Sequence, residues 1–146
     1  MTGAEQFGHV PNIDSDEDQA RYERGLAVFA AINGSDGAAV MASLQDIAPA
    51  LAHHTIAYGF GDIYARPGLD PKQRQLVTLG MLTALGGCEP QLELHVKTSL
   101  HVGLTPTEIV ETFIHASGYC GFPKALNAIA VAKKVFAERG LLPVES

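Results

Sequence analysis

The stretch Asp70 to Gly87, "DPKQRQLVTLGMLTALGG", decides the fold. An aspartate followed by proline is a helix N-cap and first-turn pair, because the carboxylate accepts from orphan main-chain amides and proline needs no amide partner there. The residues that follow are apolar on nearly every side, and a Gly-Gly pair closes the run. This is the signature of a central helix buried in a helical protein.

The same grammar recurs on both sides of it. Upstream, "SDEDQARYERGLAVFAAING" places Tyr22, Leu26, Phe29 and Ile32 at helical spacing behind an acidic first turn. "GAAVMASLQDIAP" predicts a second helix through Val40, Leu44 and Ile47, and "PALAHHTIAYGFGDIYARPG" a third through Ile56, Phe60 and Ile63. Downstream, Pro90 opens "QLELHVKTSLHVG", Thr105 to Glu108 form a capping box before "IVETFIHASGYCG", and Pro123 opens a last helix through Leu126, Ile129, Val135 and Phe136. No segment alternates polar and apolar residues between turns, so the class is all-α, a single-domain bundle of six to seven helices over residues 14–146. Residues 1–13 are polar and aperiodic and read as a flexible arm or a strap over a neighbouring subunit.

The totals narrow the function. A chain of 146 residues buries ~70% of its unfolded surface as one domain and needs no disulfide or metal for stability. A net charge of −6 with ten scattered basic residues argues against nucleic acid and anionic lipid. No apolar run approaches the ~20 residues that a bilayer requires. Two cysteines and no basic-then-apolar leader point to the cytoplasm.

Chemistry concentrates in "GGCEPQLELH", residues 86–95. Cys88 falls in the turn before a helix, Gln91 in its first turn and His95 one turn on, so the three can line one pocket. A helix N-terminus favours a thiolate, which would make Cys88 reactive; packing in a core is the alternative. Glu89 is the companion expected for His95, orienting it as an acid or base near neutral pH or binding a substrate cation; simple helix capping is the alternative. Glu111, His115 and Tyr119 follow at i, i+4 and i+8, a polar line that faces either water or a pocket, where His115 and Tyr119 could donate to an enolate oxygen. Arg74, inside the apolar helix, suits a substrate carboxylate or a structural acid such as Glu93 or Asp62. Spacings typical of zinc ligands are missing, so no metal is expected.

Taken together, "RQLVTLGMLTALG", the E-x-Q-L-x-x-H around Glu89 and His95, "GLTPTEIVE" and "YCGFP" resemble the carboxymuconolactone decarboxylase family, within the alkylhydroperoxidase D-like superfamily, over residues 56–139. The resemblance implies an all-helical subunit in homotrimers or homohexamers, with a pocket around His95 often completed between subunits. Peroxidase members use Cys-x-x-Cys-x-x-x-His and an upstream glutamate; here Gln91 replaces the second cysteine, and Gln75 or Leu76 stands near the glutamate position. The lactone decarboxylases carry the glutamate–histidine pair matched by Glu89 and His95, usually with histidine where Cys88 stands. They also commonly show an Asn-His pair where this chain has Leu126 and Asn127. The implied activity is a cofactor-independent decarboxylase, or related acid/base lyase, acting on a small unsaturated acid or lactone. A Cys88-dependent peroxidase or redox protein and a non-catalytic ligand-binding oligomer are the other readings.

Overall fold

A computed structural model describes residues 15–145. The arm expected at residues 1–13 lies outside them. Among the described residues the chain is helical without strands, as the breaker pattern requires. The helices are α1 (Asp16–Ala42), α2 (Pro49–His54), a π-helical segment (Thr55–Tyr64) that continues α2, α3 (Pro71–Leu85), α4 (Glu89–His101), α5 (Pro106–Cys120) and α6 (Phe122–Glu138). They divide between two compact units, one of residues 15–29 and 41–66 and one of residues 30–40 and 67–145.

In the first unit, Phe29, Ile56 and Phe60 form the core, with the Phe29 and Phe60 rings edge-to-face at 4.8 Å. The crossing there is close because glycine stands on both strands of the contact. A Cβ on Gly25 would lie 2.1 Å from the Ile56 carbonyl oxygen, and one on Gly61 2.4 Å from that of Arg21. Arg21 and Arg24 hold Asp62 across the same crossing, at 2.5 and 3.3 Å.

Two expectations change in this part of the chain. The predicted first and second helices follow one another directly within α1, broken at Gly34 as the Asn33–Gly34 stop requires, where φ of 55° and ψ of −142° are open to glycine. The second also stops at Ala42: residues 43–47 form turns and Ile47 is 81% exposed, so Leu44 and Ile47 do not continue an apolar face. One window of α1 has a mean hydropathy of 1.3, long and apolar enough to cross a bilayer on composition, which corrects the statement that no run comes near it. Phe29 of α1 packs against Ile56 and Phe60, and 28% of the window is buried.

The second unit packs α3, α4, α5 and α6 around Leu79, Leu92, Val96, Ile109, Phe113, Ala128, Ala132, Val135 and Phe136. Each fully buried large side chain contributes roughly 1.5–3 kcal/mol. Both predicted caps form. Asp70 accepts from the Gln73 amide at 2.8 Å while the Gln73 side chain accepts from the Asp70 amide, and Thr105 and Glu108 do the same for α5. The central helix α3 is less buried than its composition suggests. Only Gln75, Leu79 and Thr83, at i, i+4 and i+8, are inside, whereas Val77, Met81 and Leu85 are 46%, 66% and 71% exposed. In α6 the buried stripe runs through Ala125, Ala128 and Ala132, whose small side chains admit close neighbours, and Leu126 points outward.

Candidate functional site

Three constellations stand where the sequence suggested one pocket. The first lies between α3 and α4. The Asp70 cap sets the register of α3 so that Gln75 falls on its buried stripe, and Gly86 and Gly87, at φ of 68° and 70°, reverse the chain into α4. This brings His95 to Gln75, with Nδ1 3.0 Å from the amide oxygen Oε1. Gln75 is 0% exposed. One turn on, the Ser99 hydroxyl donates to the His95 carbonyl at 2.6 Å. Burial lowers the pKa of His95 to about 4, so the ring is neutral at pH 7 and does not titrate near neutrality as its intrinsic value suggested.

The partner expected for His95 was Glu89, and the structure supplies Gln75 instead. Six residues of α-helix turn Glu89 to a different face from His95, about 120° around the axis. Glu89 makes no side-chain hydrogen bond or ion pair with the described residues. It lines the second constellation, a crevice between α4 and α6 shared with Cys88, Lys124 and Asn127. The crevice encloses only about 10 Å³, room for one water. Cys88 is the N-cap residue of α4, and its Sγ donates to the Leu82 carbonyl at 3.3 Å. Gln91 is exposed and lines neither constellation. Cys120 is a free thiol, as is Cys88.

The third constellation is an open groove of about 720 Å³ between α3 and α5, walled by Leu76, Val77, Gly80 and Met81 and edged by Glu111 and His115. The polar line along α5 thus borders a groove for its first two members. Tyr119 is 84% exposed, with its ring 5.3 Å from that of His115, and is not placed as a donor beside His95.

The acids suggested as structural partners for Arg74 are held by other cations. Glu93 pairs with Lys97 at 3.0 Å and Lys134 at 2.8 Å, and the hydrogen bonds from Lys134 and Lys97 lower its pKa. Asp62 is held by Arg21 and Arg24. Gln75 was not among the candidate site residues, although the resemblance placed Gln75 or Leu76 near the upstream glutamate position of the peroxidase members. Its signal was an amide in register with Leu79 and Thr83 on an apolar helix, a costly thing to bury without a partner.

A family-wide sequence profile described as "Carboxymuconolactone decarboxylase family" matches residues 49–134, more than half of the chain, and takes in Gln75, Glu89 and His95. The chain belongs to the carboxymuconolactone decarboxylase family. Among its family relatives, the 4-carboxymuconolactone decarboxylase of Acinetobacter baylyi is 32% identical over 127 residues, 86% of this chain and 94% of that one. The nitrosuccinic acid decarboxylase of Metarhizium robertsii is 40% identical over 79 residues, 53% of each chain. An uncharacterised 15.0 kDa protein from the nqo9–nqo10 intergenic region of Paracoccus denitrificans is 35% identical over 99 residues, 67% of this chain and 74% of that one.

Proposed function

We propose that this family member is a cofactor-independent decarboxylase of a small acid whose reacting carbon is conjugated to an electron-accepting group, with His95 handling the proton. The observation that carries the reading is the partly buried, neutral His95 held by Gln75 inside the family's matched segment. The substrate class follows from what two relatives are named for. In 4-carboxymuconolactone the electron sink is an unsaturated lactone carbonyl, and in nitrosuccinic acid it is a nitro group. Both accept the electron pair released as the carbon–carbon bond breaks and carbon dioxide leaves, so the substrate itself does the work of a cofactor.

The reaction then needs one proton on the delocalised carbanion. His95 is neutral in the free protein because burial penalises its charged form. An anionic substrate beside the ring offsets that penalty, so Nε2 takes up a proton as the substrate binds and passes it to the carbanion afterwards. One proton is drawn from solvent per turnover. Arg74, which precedes Gln75 on α3 and is half-buried, is assigned to the substrate's carboxylate.

The subunit acts as a homo-oligomer in this reading, a trimer or hexamer. Val77, Met81 and Leu85 on α3, Ile114 and Tyr119 on α5, and Phe122 and Leu126 on α6 are all exposed, more large apolar surface than a monomer ordinarily leaves in water. The screen that tests the activity offers the purified full chain 4-carboxymuconolactone, nitrosuccinic acid and a β-keto acid, read by carbon dioxide release. At least one is expected to be decarboxylated well above the buffer rate, and no peroxide consumption is needed for it. Release at the buffer rate from every acid of this class contradicts the reading.

A further inference from the structure

We infer that Gln75 is a positioning residue that fixes the tautomer of His95, its amide oxygen holding the ring proton on Nδ1 and leaving the lone pair on Nε2. The inference deepens the proposed function, since it rests on His95 as the proton-handling group. A neutral imidazole has one donor and one acceptor nitrogen, and which is which depends on the bond the other makes. Here Oε1 faces Nδ1 at 3.0 Å. An oxygen acceptor at that distance requires the proton on Nδ1.

The other end of the ring is open. Nε2 has no hydrogen-bond partner among the described residues, and it is not one of the fully occluded unpartnered atoms. The bare lone pair is therefore the face of His95 that meets solvent or substrate, while the protonated face is turned into the protein. The partner's rigidity gives this its force. Gln75 is 0% exposed on the same buried stripe as Leu79 and Thr83, and the two elements carrying the pair start at an Asp70 capping box and a Gly-Gly reversal.

The choice of an amide is also chemical. A carboxylate behind the ring would accept the same proton but would stabilise the imidazolium. A leucine would leave the tautomer to solvent. An amide sets the tautomer without adding charge, so the ring can gain a proton at Nε2 only when substrate brings a charge of its own.

The test is a nitrogen-15 NMR spectrum of the imidazole nitrogens in the full-length protein at pH 7, without substrate. The expected result is a protonated Nδ1 and a bare Nε2 on His95. In Gln75→Leu the Nε2–H form becomes populated and kcat falls roughly 100-fold, the scale of a lost general acid–base, while KM stays within about twofold. Gln75→Glu, which also accepts from Nδ1, keeps the Nδ1 proton. A wild-type spectrum with the proton on Nε2 overturns the inference, and so does a folded Gln75→Leu variant with unchanged tautomer and kcat. The wild-type spectrum requires neither a variant nor an assay. If it comes out as expected while no acid loses carbon dioxide, the functional reading fails and the tautomer assignment stands.

Discussion

At the scale of single residues, the decisive fact is that the partly buried His95 pairs with a fully buried neutral amide. Its folded pKa of about 4 lies below the unfolded value near 6.5, so between these pH values the unfolded chain binds more protons. Stability from this residue is complete above pH 6.5, declines as pH falls toward 4 and levels off below. The loss amounts to about 3 kcal/mol. Urea unfolding of wild type and His95→Gln from pH 7 to 4 checks this. The difference between the two should shrink across that window, since acids such as Glu93 and Asp62 act alike in both; a constant difference contradicts the burial argument. Cys88→Ser should leave decarboxylation within about twofold, because the thiol donates to the Leu82 carbonyl in a crevice too small for substrate. His95 itself was legible in the sequence. Its partner was legible only through the resemblance, which placed Gln75 or Leu76 near an upstream glutamate position; spacing alone hides that Glu89 and His95 leave α4 in different directions and that the Gln75 contact joins positions 20 apart in the chain.

Helices were the most legible elements wherever a chemical stop or start marks them. Asp70–Pro71 and Thr105–Pro106 open α3 and α5 with both hydrogen bonds of a capping box, and Gly86, Gly121 and Gly140 close helices at positive φ. Asp70→Ala should cost about 1 kcal/mol, measured by urea unfolding, with the overall helix content by circular dichroism unchanged. Where the sequence was read less well, a local rule met a packing constraint. Gly25 and Gly61 lie inside helices that the apolar spacing carries straight through them, and nothing in that spacing marks them as the points where two helices approach backbone to backbone. Gly25→Ala or Gly61→Ala should destabilise by about 2 kcal/mol or more, because the clashing atom is a main-chain carbonyl that cannot swing aside. An alanine variant as stable as wild type would show that the crossing is looser than described. The apolar periodicity of α3 and α6 misled for a related reason. It marks every apolar face alike, whereas only the stripe through Gln75, Leu79 and Thr83 is turned into the core and Val77, Met81 and Leu85 are exposed.

For the whole molecule, those exposed apolar side chains and the catalytic proposal are linked. If other copies cover α3, Met81→Glu should shift the protein to smaller species in sedimentation velocity, since a carboxylate cannot be buried there unpaired. An unchanged mass would point to another occupant of that face. Family membership rests on the match over residues 49–134 and on relatives named for decarboxylating different acids, so the shared feature to test is the proton-handling residue and not one substrate. The most direct measurement is kcat/KM for carbon dioxide release by wild type and by His95→Ala, each verified as folded, on whichever acid in the screen is turned over. A fall of about 100-fold or more is expected for the variant, the contribution of a positioned acid–base group. Equal rates in the two proteins would contradict the account.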